Sequence, residues 1–527
     1  MKFSHARTTR ATSFTATSTA RLRRLAALAF IACLLAFLPA SAQTGARPKL
    51  PSADKIVGDY IKTVGGKKRL AALRDAVYEW TVEENGQAGQ ATTRTKAPGA
   101  AFIEIKLARG TYAAGATARS VWTRSFDGAA QTLTDAQARS ARLQARLDAT
   151  RLADYKRQNL LALAVGVDTI AGEPAYIVEF RSRDAARVRY LFGAQSKLLL
   201  RTTDEARALQ IDYADYRAEN GILEPHRVTF KLGEAAPLTL KLQSARYNTN
   251  LADASFDAPH AETLDVAKLV NEVIEREPVA GIKFEEYTYS VKQTEQELND
   301  KGEAKKETTR VWDVFLAPNG HGIGKLVSIN GAPLPAERAA KEEKRVVDFL
   351  TANEKSAPQA KEQRGGGGFH ITMGSYGFDL ADLLRACEFV APRRERFQGR
   401  EAIVFDYRPR AEFRTKSKND EILSKLNGII WIDPVDKVVM RIEARLSGDF
   451  KVGGGLLMQI KPGAGFVFER QRLPDGFWVP RIFLWNANGK GFLVMSMSVY
   501  ETTEWYNFKR FKTEAGDATL NAPKVEP

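Results

Sequence analysis

The sequence predicts an α+β protein made of two copies of one domain, each with a curved antiparallel sheet and helices. Two observations support this fold class. Four short segments recur in the same order along the 527-residue chain. Apolar and polar residues also alternate with period two between turn sequences such as Asn-Gly and Asp-Gly, which is typical of antiparallel strands joined by hairpins.

The recurring segments define the two domains. They pair "SFDGA" with "SINGA", "GEPAYIVEFRSR" with "GREAIVFDYRPR", "YLFGAQSKLLLR" with "IIWIDPVDKVVMR", and "ENGILEPHRVTF" with "PDGFWVPRIFLW". The spacing between partners grows steadily along the chain, as expected of a tandem duplication whose second copy has gained insertions. We therefore predict a first domain over 50–260 and a second domain over 264–515.

The N-terminus has the parts of a secretory signal peptide over 1–42. Several basic residues precede the apolar run "LAALAFIACLLAFL", and Ala40-Ser41-Ala42 follows it. The run is shorter than the span of about 20 residues that a transmembrane helix needs. The segment predicts export across the inner membrane, and an uncleaved N-terminal anchor is the alternative.

Each copy opens with an amphipathic helical pattern. In the first copy this is "SADKIVGDYIKTVGG", with Ser52 or Asp54 as the cap and Gly65-Gly66 as the stop; in the second copy it begins at "LDVAKLVNEVIERE". A second helical region separates the strands: "TDAQARSARLQARLDATRLADYKRQNLLAL" in the first copy, and "AERAAKEEKRVVDFLTANEK" with "FDLADLLRACEFV" in the second. The Gly-rich insertion near 356–368 is expected to be a flexible surface loop. The tail at 516–527 is expected to be disordered.

Composition and motifs argue against several functional classes. The net charge of +15 falls to +9 when the six basic residues of 1–42 are set aside. That excess is dispersed rather than gathered into a basic stripe, so no nucleic-acid partner is expected, while peripheral contact with an anionic membrane stays open. Serine-hydrolase, zinc-protease and phosphate-loop signatures are absent from the sequence. The histidines lack metal-ligand spacing. We therefore expect that the protein is not an enzyme and has no cofactor and no metal site. The apolar pattern around Cys387 indicates a buried structural thiol and not a nucleophile.

The order of features resembles a known family. A helix ends in Gly-Gly within "IKTVGGKKRLAAL", and the "SFDGA" turn, the "AYIVEF" strand and the "NGILEPHRV" hairpin follow. This order resembles the periplasmic lipoprotein-sorting proteins of the LolA/LolB-like superfamily, here tandem-duplicated and diverged, over 52–257 and more weakly over 264–510. The resemblance implies two tandem unclosed antiparallel β-barrels, each lidded by helices. It also implies a non-catalytic periplasmic carrier that holds acyl chains of lipoproteins, or other hydrophobic ligands, in the concave face of a half-barrel.

Apolar and aromatic strand residues are the candidate ligand contacts. Aromatic and Met side chains suit such contacts because they adapt to flexible acyl chains. The candidates are Trp122, Tyr176, Val178 and Phe192 in the first copy, and Phe405, Trp431, Met440, Met495 and Met497 in the second. The second copy, richer in Trp and Met, is the favoured binding domain. The alternative is a cell-envelope scaffold or protein-interaction module whose half-barrels are filled by their own side chains and hold no ligand.

Overall fold

The structure is a computed structural model. It describes residues 50–84, 86–258, 264–284, 287–298, 304–316, 322–353, 370–373, 376–452, 458–491 and 495–510. The predicted signal peptide at 1–42, the predicted loop near 356–368 and the predicted tail at 516–527 lie outside the described residues. The described chain from Ser52 onward belongs to one compact unit.

Helices are few and most of the described chain is strand, so the α+β class is borne out. The helices are α1 (Ala53–Thr63), α2 (Lys67–Ala71), α3 (Asp135–Ala149), α4 (Val266–Phe284), α5 (Ala336–Asn353), α6 (Leu380–Ala386) and α7 (Lys418–Leu423). Ser52 accepts a hydrogen bond from the Lys55 amide and caps α1, and Gly65 and Gly66 both have positive φ just after it. The predicted cap and stop of the first helix are therefore confirmed.

The first sheet contains 13 strands in the described chain. They are β1 (Asp75–Glu84), β2 (Gln87–Lys96), β3 (Ala100–Leu107), β4 (Gly110–Ala116), β5 (Val121–Arg124), β6 (Ala130–Thr132), β7 (Leu161–Ile170), β8 (Glu173–Arg181), β9 (Arg187–Gly193), β10 (Leu199–Asp204), β11 (Leu209–Glu219), β12 (Ile222–Leu232) and β13 (Leu238–Tyr247). Their order in the sheet is β6-β5-β4-β3-β2-β1-β13-β12-β11-β10-β9-β8-β7. Within the described chain, β6 and β7 are thus the two edges and do not pair with each other.

The second sheet is also antiparallel, and a separate hairpin lies beside it. The strands of the sheet are β14 (Tyr287–Leu298), β15 (Ala304–Leu316), β16 (Gly322–Ile329), β17 (Ala332–Pro333), β20 (Cys387–Phe397), β21 (Arg400–Pro409), β22 (Leu426–Asp433), β23 (Val438–Leu446), β24 (Phe450–Val452), β25 (Met458–Ile460), β26 (Gly465–Arg472), β27 (Trp478–Gly491) and β28 (Met495–Arg510). The hairpin is β18 (His370–Met373) with β19 (Tyr376–Asp379).

Both sheets follow the same plan of connections. The first strand of each sheet pairs with the last, β1 with β13 and β14 with β28. A meander leads from the first strand to one edge, a helix follows, and the chain returns from the opposite edge to the last strand. The first meander has six strands and the second has four.

Turn geometry explains one of the recurring segments. The paired lysines Lys197 and Lys437 both adopt left-handed φ in the turns that precede β10 and β23, so the same backbone reversal occurs at corresponding places in the two sheets. Asn220 and Gly221 both have positive φ between β11 and β12, the conformation of a two-residue type I′ turn. In their counterpart Asp475-Gly476 only Gly476 has positive φ, so that turn differs in type.

The helical region after β6 is shorter than the sequence predicts. Helix α3 ends at Ala149, and both Arg151 and Leu152 have left-handed φ. Residues 151–159 form turns, and β7 starts at Leu161. The predicted helical region, which continues to Leu163, therefore contains three structures: helix α3, the turns at 151–159 and the start of the edge strand β7.

One face of the second sheet packs against the first half of the chain. Hydrogen bonds cross this boundary from Thr132 to Glu395, from Ser120 to Asp406 and from Arg441 to Asp135. Glu395, Asp406 and Arg441 are all buried. Strands β22 and β23 are consequently buried on both faces, which is why almost every residue in them is buried.

Candidate functional site

The inner face of the first sheet is the face on which α1 and α3 pack. Cross-strand pairing defines it as a continuous row, because directly paired residues share a face. The row runs through Val178, Tyr190, Thr202, Ile211, Phe230 and Leu238. This face has two parts, which differ in what covers them.

Helices cover the inner face at β8 to β10, and α3 also covers it at β3 to β5, where Ala141 and Ala145 pack with Ala116 and Val121. Buried residues of α1 and α3 belong to the same apolar cluster as Val178, Phe180 and Phe192. The ring of Tyr60 on α1 lies 5.2 Å from that of Phe192. This part is an ordinary sheet–helix core.

The other part of the inner face, which we call the strand-lined cluster, contains no helical residue. Its buried members come from β1, β2, β3, β11, β12 and β13: Ala76, Tyr78, Trp80, Val82, Ala91, Ile105, Ile211, Val228, Leu240 and Leu242. The register places Trp80 between Ala91 and Leu242, and Val82 beside Leu240. Since strands alone supply these buried residues, the sheet must curve around them.

One end of the strand-lined cluster is rimmed by half-buried apolar side chains. They are Leu107, Tyr112, Phe126, Leu209, Phe230 and Leu238. Leu232, at the end of β12, is 51% exposed. The hairpin ends therefore leave an apolar opening to solvent at this end of the sheet.

A buried ion pair bounds the opposite end of the strand-lined cluster. Arg151 binds Glu224 through two contacts, Nη2 to Oε1 at 2.6 Å and Nη1 to Oε2 at 3.0 Å. Tyr78 and Tyr247 also donate to Glu224, at 3.0 and 2.6 Å. Burial acts to lower the pKa of Arg151, but the charge and hydrogen bonds of Glu224 outweigh burial and raise it. The pair anchors the turn after α3 to β12 on the inner face.

A second acid also faces this interior. Tyr190 donates to Asp148 Oδ1 at 2.6 Å. Burial raises the pKa of Asp148 to about 6, although the hydrogen bond from Tyr190 opposes that shift. The interior of the first half therefore holds a carboxyl group that titrates near neutral pH.

The inner face of the second sheet is filled by helices and by the separate hairpin. Its row runs through Phe405, Ile430, Ile442, Phe468 and Phe483. One apolar cluster joins this row to α4, α6, α7 and the β18–β19 hairpin, through Leu269, Val273, Phe378, Leu384 and Ile422 among others. In the described chain, this inner face is a closed core.

A groove of about 950 Å³ lies on the outer face of the first sheet. Its floor includes Asp212, Thr229 and Thr239, which are paired across β11, β12 and β13. The Arg201–Asp212 ion pair lines the groove together with the apolar residues Ile170 and Leu200. The lining is therefore mixed, with charged groups that the strand-lined cluster lacks.

The structure distributes the candidate contacts of the first copy between two faces. Tyr176, Val178 and Phe192 lie together on the helix-covered part of the inner face. Trp122 lies on the outer face, where it pairs with Gly115 and donates its indole N–H to the Phe256 carbonyl at 3.2 Å. The ligand contacts of all four residues remain predictions.

The candidates of the second copy are likewise divided. Phe405 belongs to the closed core of the inner face. Trp431 and Met440 belong to a separate cluster on the outer face, where Trp431 pairs with Val404 and Arg441. Met495 and Met497 lie on β28, but their side chains are outside the described residues. Phe405 and Trp431 therefore do not line a common groove.

The strand-lined cluster is not among the sites that the sequence predicts. The alternation at Leu238, Leu240 and Leu242 predicts the strand correctly. The same alternation at Tyr78, Trp80 and Val82 on β1 is the signal that could have located the other side of the cluster. Whether a helix packs on a strand depends on the tertiary fold, and alternation within the strand does not reveal it.

The described residues were also compared with the arrangements that metal binding, thiol chemistry and membrane spanning require. In the parts of the chain that the structure describes, no group of three or more His, Cys, Asp and Glu residues is placed to hold a metal ion. Cys387 is a buried free thiol at the start of β20, and burial raises its pKa to about 12. No helix among the described residues has the length and apolar character needed to cross a membrane.

Comparison with known proteins gives structural similarity only. No protein-family model matches the chain, and no curated protein matches it. Solved structures that are similar include a LolA superfamily protein from Nitrosomonas europaea, with 11% identity over 40% of this chain and 99% of that one, at a TM-score of 0.28. A DUF1329 family protein from Desulfovibrio piger has 13% identity over 39% of this chain and 97% of that one, also at 0.28.

A longer similarity covers both halves of the chain. The MucA/MucB complex of Pseudomonas aeruginosa matches with 11% identity over 86% of this chain and 94% of that one, at a TM-score of 0.17. The structural neighbours thus include the superfamily that the sequence resembles. Because each TM-score is below 0.5, the function proposed below rests on contacts within this chain.

Proposed function

We propose that the protein is a non-catalytic carrier or binding protein for an acyl chain, or a similar hydrophobic ligand, held in the strand-lined cluster of the first sheet. The observation that carries the proposal is the absence of helical residues from this cluster in the described chain. This apolar surface is enclosed only by strands and has a half-buried apolar rim. An acyl chain can enter it when the rim side chains separate slightly. Sheet–helix cores offer no such route.

Burial of apolar surface would drive binding. Each methylene removed from water contributes about 0.8 kcal/mol, so about ten buried methylenes give about 8 kcal/mol before the entropic cost of association. The rim residues Phe230 and Leu238 are where the chain would enter. The ion pair between Arg151 and Glu224 closes the far end of the cluster and would set the depth to which the ligand penetrates.

The proposal includes a fold and a location. The shared plan of connections supports two tandem LolA-like half-barrels, and the N-terminal sequence supports export to the periplasm. In this proposal the cargo is a lipid or the acyl chain of a lipoprotein, carried without catalysis. Peripheral contact with a membrane surface would accompany loading and release.

A titration with fluorescently labelled palmitic acid tests the proposal. The purified protein, freed of bound lipid, should bind the probe saturably. Phe230→Asp places a charge at the rim and should weaken binding at least about tenfold, since a carboxylate at an apolar contact must be desolvated or displaced. Phe230 is half-buried, so the variant should still unfold cooperatively.

The matched control is Lys231→Asp, one residue further along β12. Lys231 is exposed and alternates to the outer face, so this variant places the same carboxylate on the other side of the sheet. It also removes a positive charge, so its electrostatic change is the larger of the two and the control is the stricter one. It should bind the probe like the parent protein. Absence of saturable binding by the parent, or equal affinity of the two variants, would refute the proposal.

A second candidate function is a protein-interaction module of the cell envelope. It is favoured by the closed core on the inner face of the second sheet, which leaves no route for a ligand in that half among the described residues. In this alternative the second half serves as a rigid partner surface. The palmitic-acid titration separates the two functions, because an interaction module binds no probe.

A further inference from the structure

Four arginines meet where the first half packs against the second sheet. Arg119 precedes β5, Arg139 and Arg142 lie three residues apart on α3, and Arg445 lies on β23. We call them the guanidinium cluster. The Nη2 atom of Arg142 lies 3.4 Å from the Arg119 carbonyl and 4.0 Å from Glu443 Oε2, to which Arg445 also donates at 3.2 Å.

Several donors of the cluster are buried and lack acceptors among the described residues. They are Arg119 Nε, Arg139 Nε, Arg142 Nε, Arg142 Nη1 and Arg445 Nη1. Buried polar groups are nearly always hydrogen-bonded, so these orphaned donors, four of which belong to the connected residues Arg119, Arg142 and Arg445, need an explanation. They come from both halves of the chain and from three separate elements.

The nearby carboxylates are already engaged. Glu443 accepts from Arg441 at 2.8 Å as well as from Arg445. Asp406 accepts from Ser120 at 2.7 Å and from Arg393 at 3.0 Å, and it lies 3.8 Å from Arg119 Nε. Asp257 accepts from Arg119 Nη2 at 2.6 Å, which leaves Arg119 Nε without a hydrogen-bond partner among the described residues. Asp406 and Glu443 lie 3.8 and 4.0 Å from the nearest atoms of Arg119 and Arg142, too far for direct hydrogen bonds.

Within the guanidinium cluster, the positive charge of Arg142 is the one that its surroundings destabilise most. Its side chain is 11% exposed. Burial, followed by repulsion from Arg445, lowers its pKa to about 9, although Glu443, Asp184 and Asp406 oppose that shift. An additional negative charge beside Arg142 would relieve both effects.

We propose that the guanidinium cluster binds an oxyanion group of the phosphate class at the boundary between the two halves. Guanidinium groups donate in a planar fork that matches phosphate oxygens, and a tetrahedral oxyanion can accept several such bonds at once. Arg119 and Arg445 remain 17% and 21% exposed, which leaves a path for a small anion. The site lies apart from the strand-lined cluster, so this inference does not depend on the proposed acyl ligand.

Thermal unfolding of the full chain at constant ionic strength tests the site. Inorganic phosphate should raise the melting temperature saturably by about 2 to 4 °C relative to chloride. A parallel titration with soluble short-chain phosphatidate distinguishes the sources of the same group. A response to phosphate supports a free anion, and a response to phosphatidate alone supports a lipid head group.

Arg142→Gln should abolish the response to either anion. Without phosphate this variant should melt at or above the temperature of the parent, because it removes an unsatisfied buried charge. Arg445→Gln is a second variant on the other half and should also lose the response. Arg445→Gln also removes a partner of buried Glu443, so it should melt below the parent without phosphate. Arg142→Gln is therefore the variant that separates loss of the anion site from loss of the fold.

The matched control is Arg146→Gln, one turn further along α3. The donors of Arg146 are satisfied by Gln158, through Nε to Oε1 at 2.9 Å and Nη2 to the carbonyl at 2.7 Å. This variant should keep the full response to phosphate. The proposal is wrong if neither anion stabilises the parent beyond chloride, or if Arg142→Gln responds like the parent.

Discussion

The inner faces of the two sheets share a plan of connections but differ in what fills them. The second face is covered by three helices and a hairpin, which form one core with Phe405 and Ile430. The first face is covered by helices over β8 to β10 and by α3 over part of β3 to β5, and the strand-lined cluster between them is left to the strands. Equal topology therefore does not imply equal capacity for a ligand, because the added segments decide whether a curved sheet is filled.

The two inner faces also place their buried ion pair differently. In the first sheet, Glu224 on β12 binds Arg151 in the turn after α3. In the second sheet, Arg470 on β26 binds Glu277 on α4 at 2.7 and 2.8 Å, so the helix carries the acid. Val479 on β27 occupies the position of Glu224 in the recurring segment, and both are buried.

The largest expected effect comes from making the first face like the second at this position. Glu224→Val leaves Arg151 buried without its acid and should lower the free energy of unfolding by about 3 to 5 kcal/mol. The double variant with Arg151→Met removes the uncompensated charge and should recover most of that loss. Urea unfolding of the parent, both single variants and the double variant measures the coupling.

Additive losses in that cycle would contradict the account, because they would mean that Arg151 and Glu224 do not stabilise each other. A double variant that also binds labelled palmitic acid unchanged would show that the ion pair sets no limit on the ligand. Weaker or shallower binding would show that it does.

A smaller, pH-dependent effect is expected at Asp148. Its pKa is raised from 3.8 to about 6, so the folded protein holds this proton more tightly than the unfolded chain. Stability from this group therefore falls as pH rises from about 4 to about 6. Asp148→Asn, whose amide oxygen can still accept from Tyr190, should be more stable than the parent by about 1 to 2 kcal/mol at pH 7.5.

The difference in the free energy of unfolding between Asp148→Asn and the parent should vanish near pH 4, where the side chain at position 148 is neutral in both folded proteins. Chemical unfolding at the two pH values checks this expectation. A variant less stable than the parent at pH 7.5 would mean that the carboxylate is stabilised by its surroundings. The interior of the first half would then be more polar than described.

Local features of the fold could be predicted from the sequence. The cap at Ser52, the stop at Gly65-Gly66 and the Asn220-Gly221 turn each follow from the backbone preferences of a few residues. Alternation at Leu238, Leu240 and Leu242 gave the strand and its inward face. These features depend on neighbours in the sequence.

The location of the candidate site could not be predicted in the same way. Trp431 and Phe405 are both apolar, yet the register puts them on opposite faces, and the outer one is buried in a cluster with Trp478 from a strand distant in the sequence. The end of α3 at Ala149 depends on the left-handed turn that brings Arg151 to Glu224. Such long-range contacts leave no local pattern in the sequence.

Photolabelling with a diazirine derivative of palmitic acid tests the central claim most directly. After irradiation and digestion, mass spectrometry should find adducts in peptides covering 76–82, 103–112 and 228–242, which line the strand-lined cluster and its rim. Excess unlabelled palmitic acid should suppress them. Adducts confined to β21, β22 or α6, or adducts that do not respond to competitor, would contradict the claim that the first sheet holds the ligand.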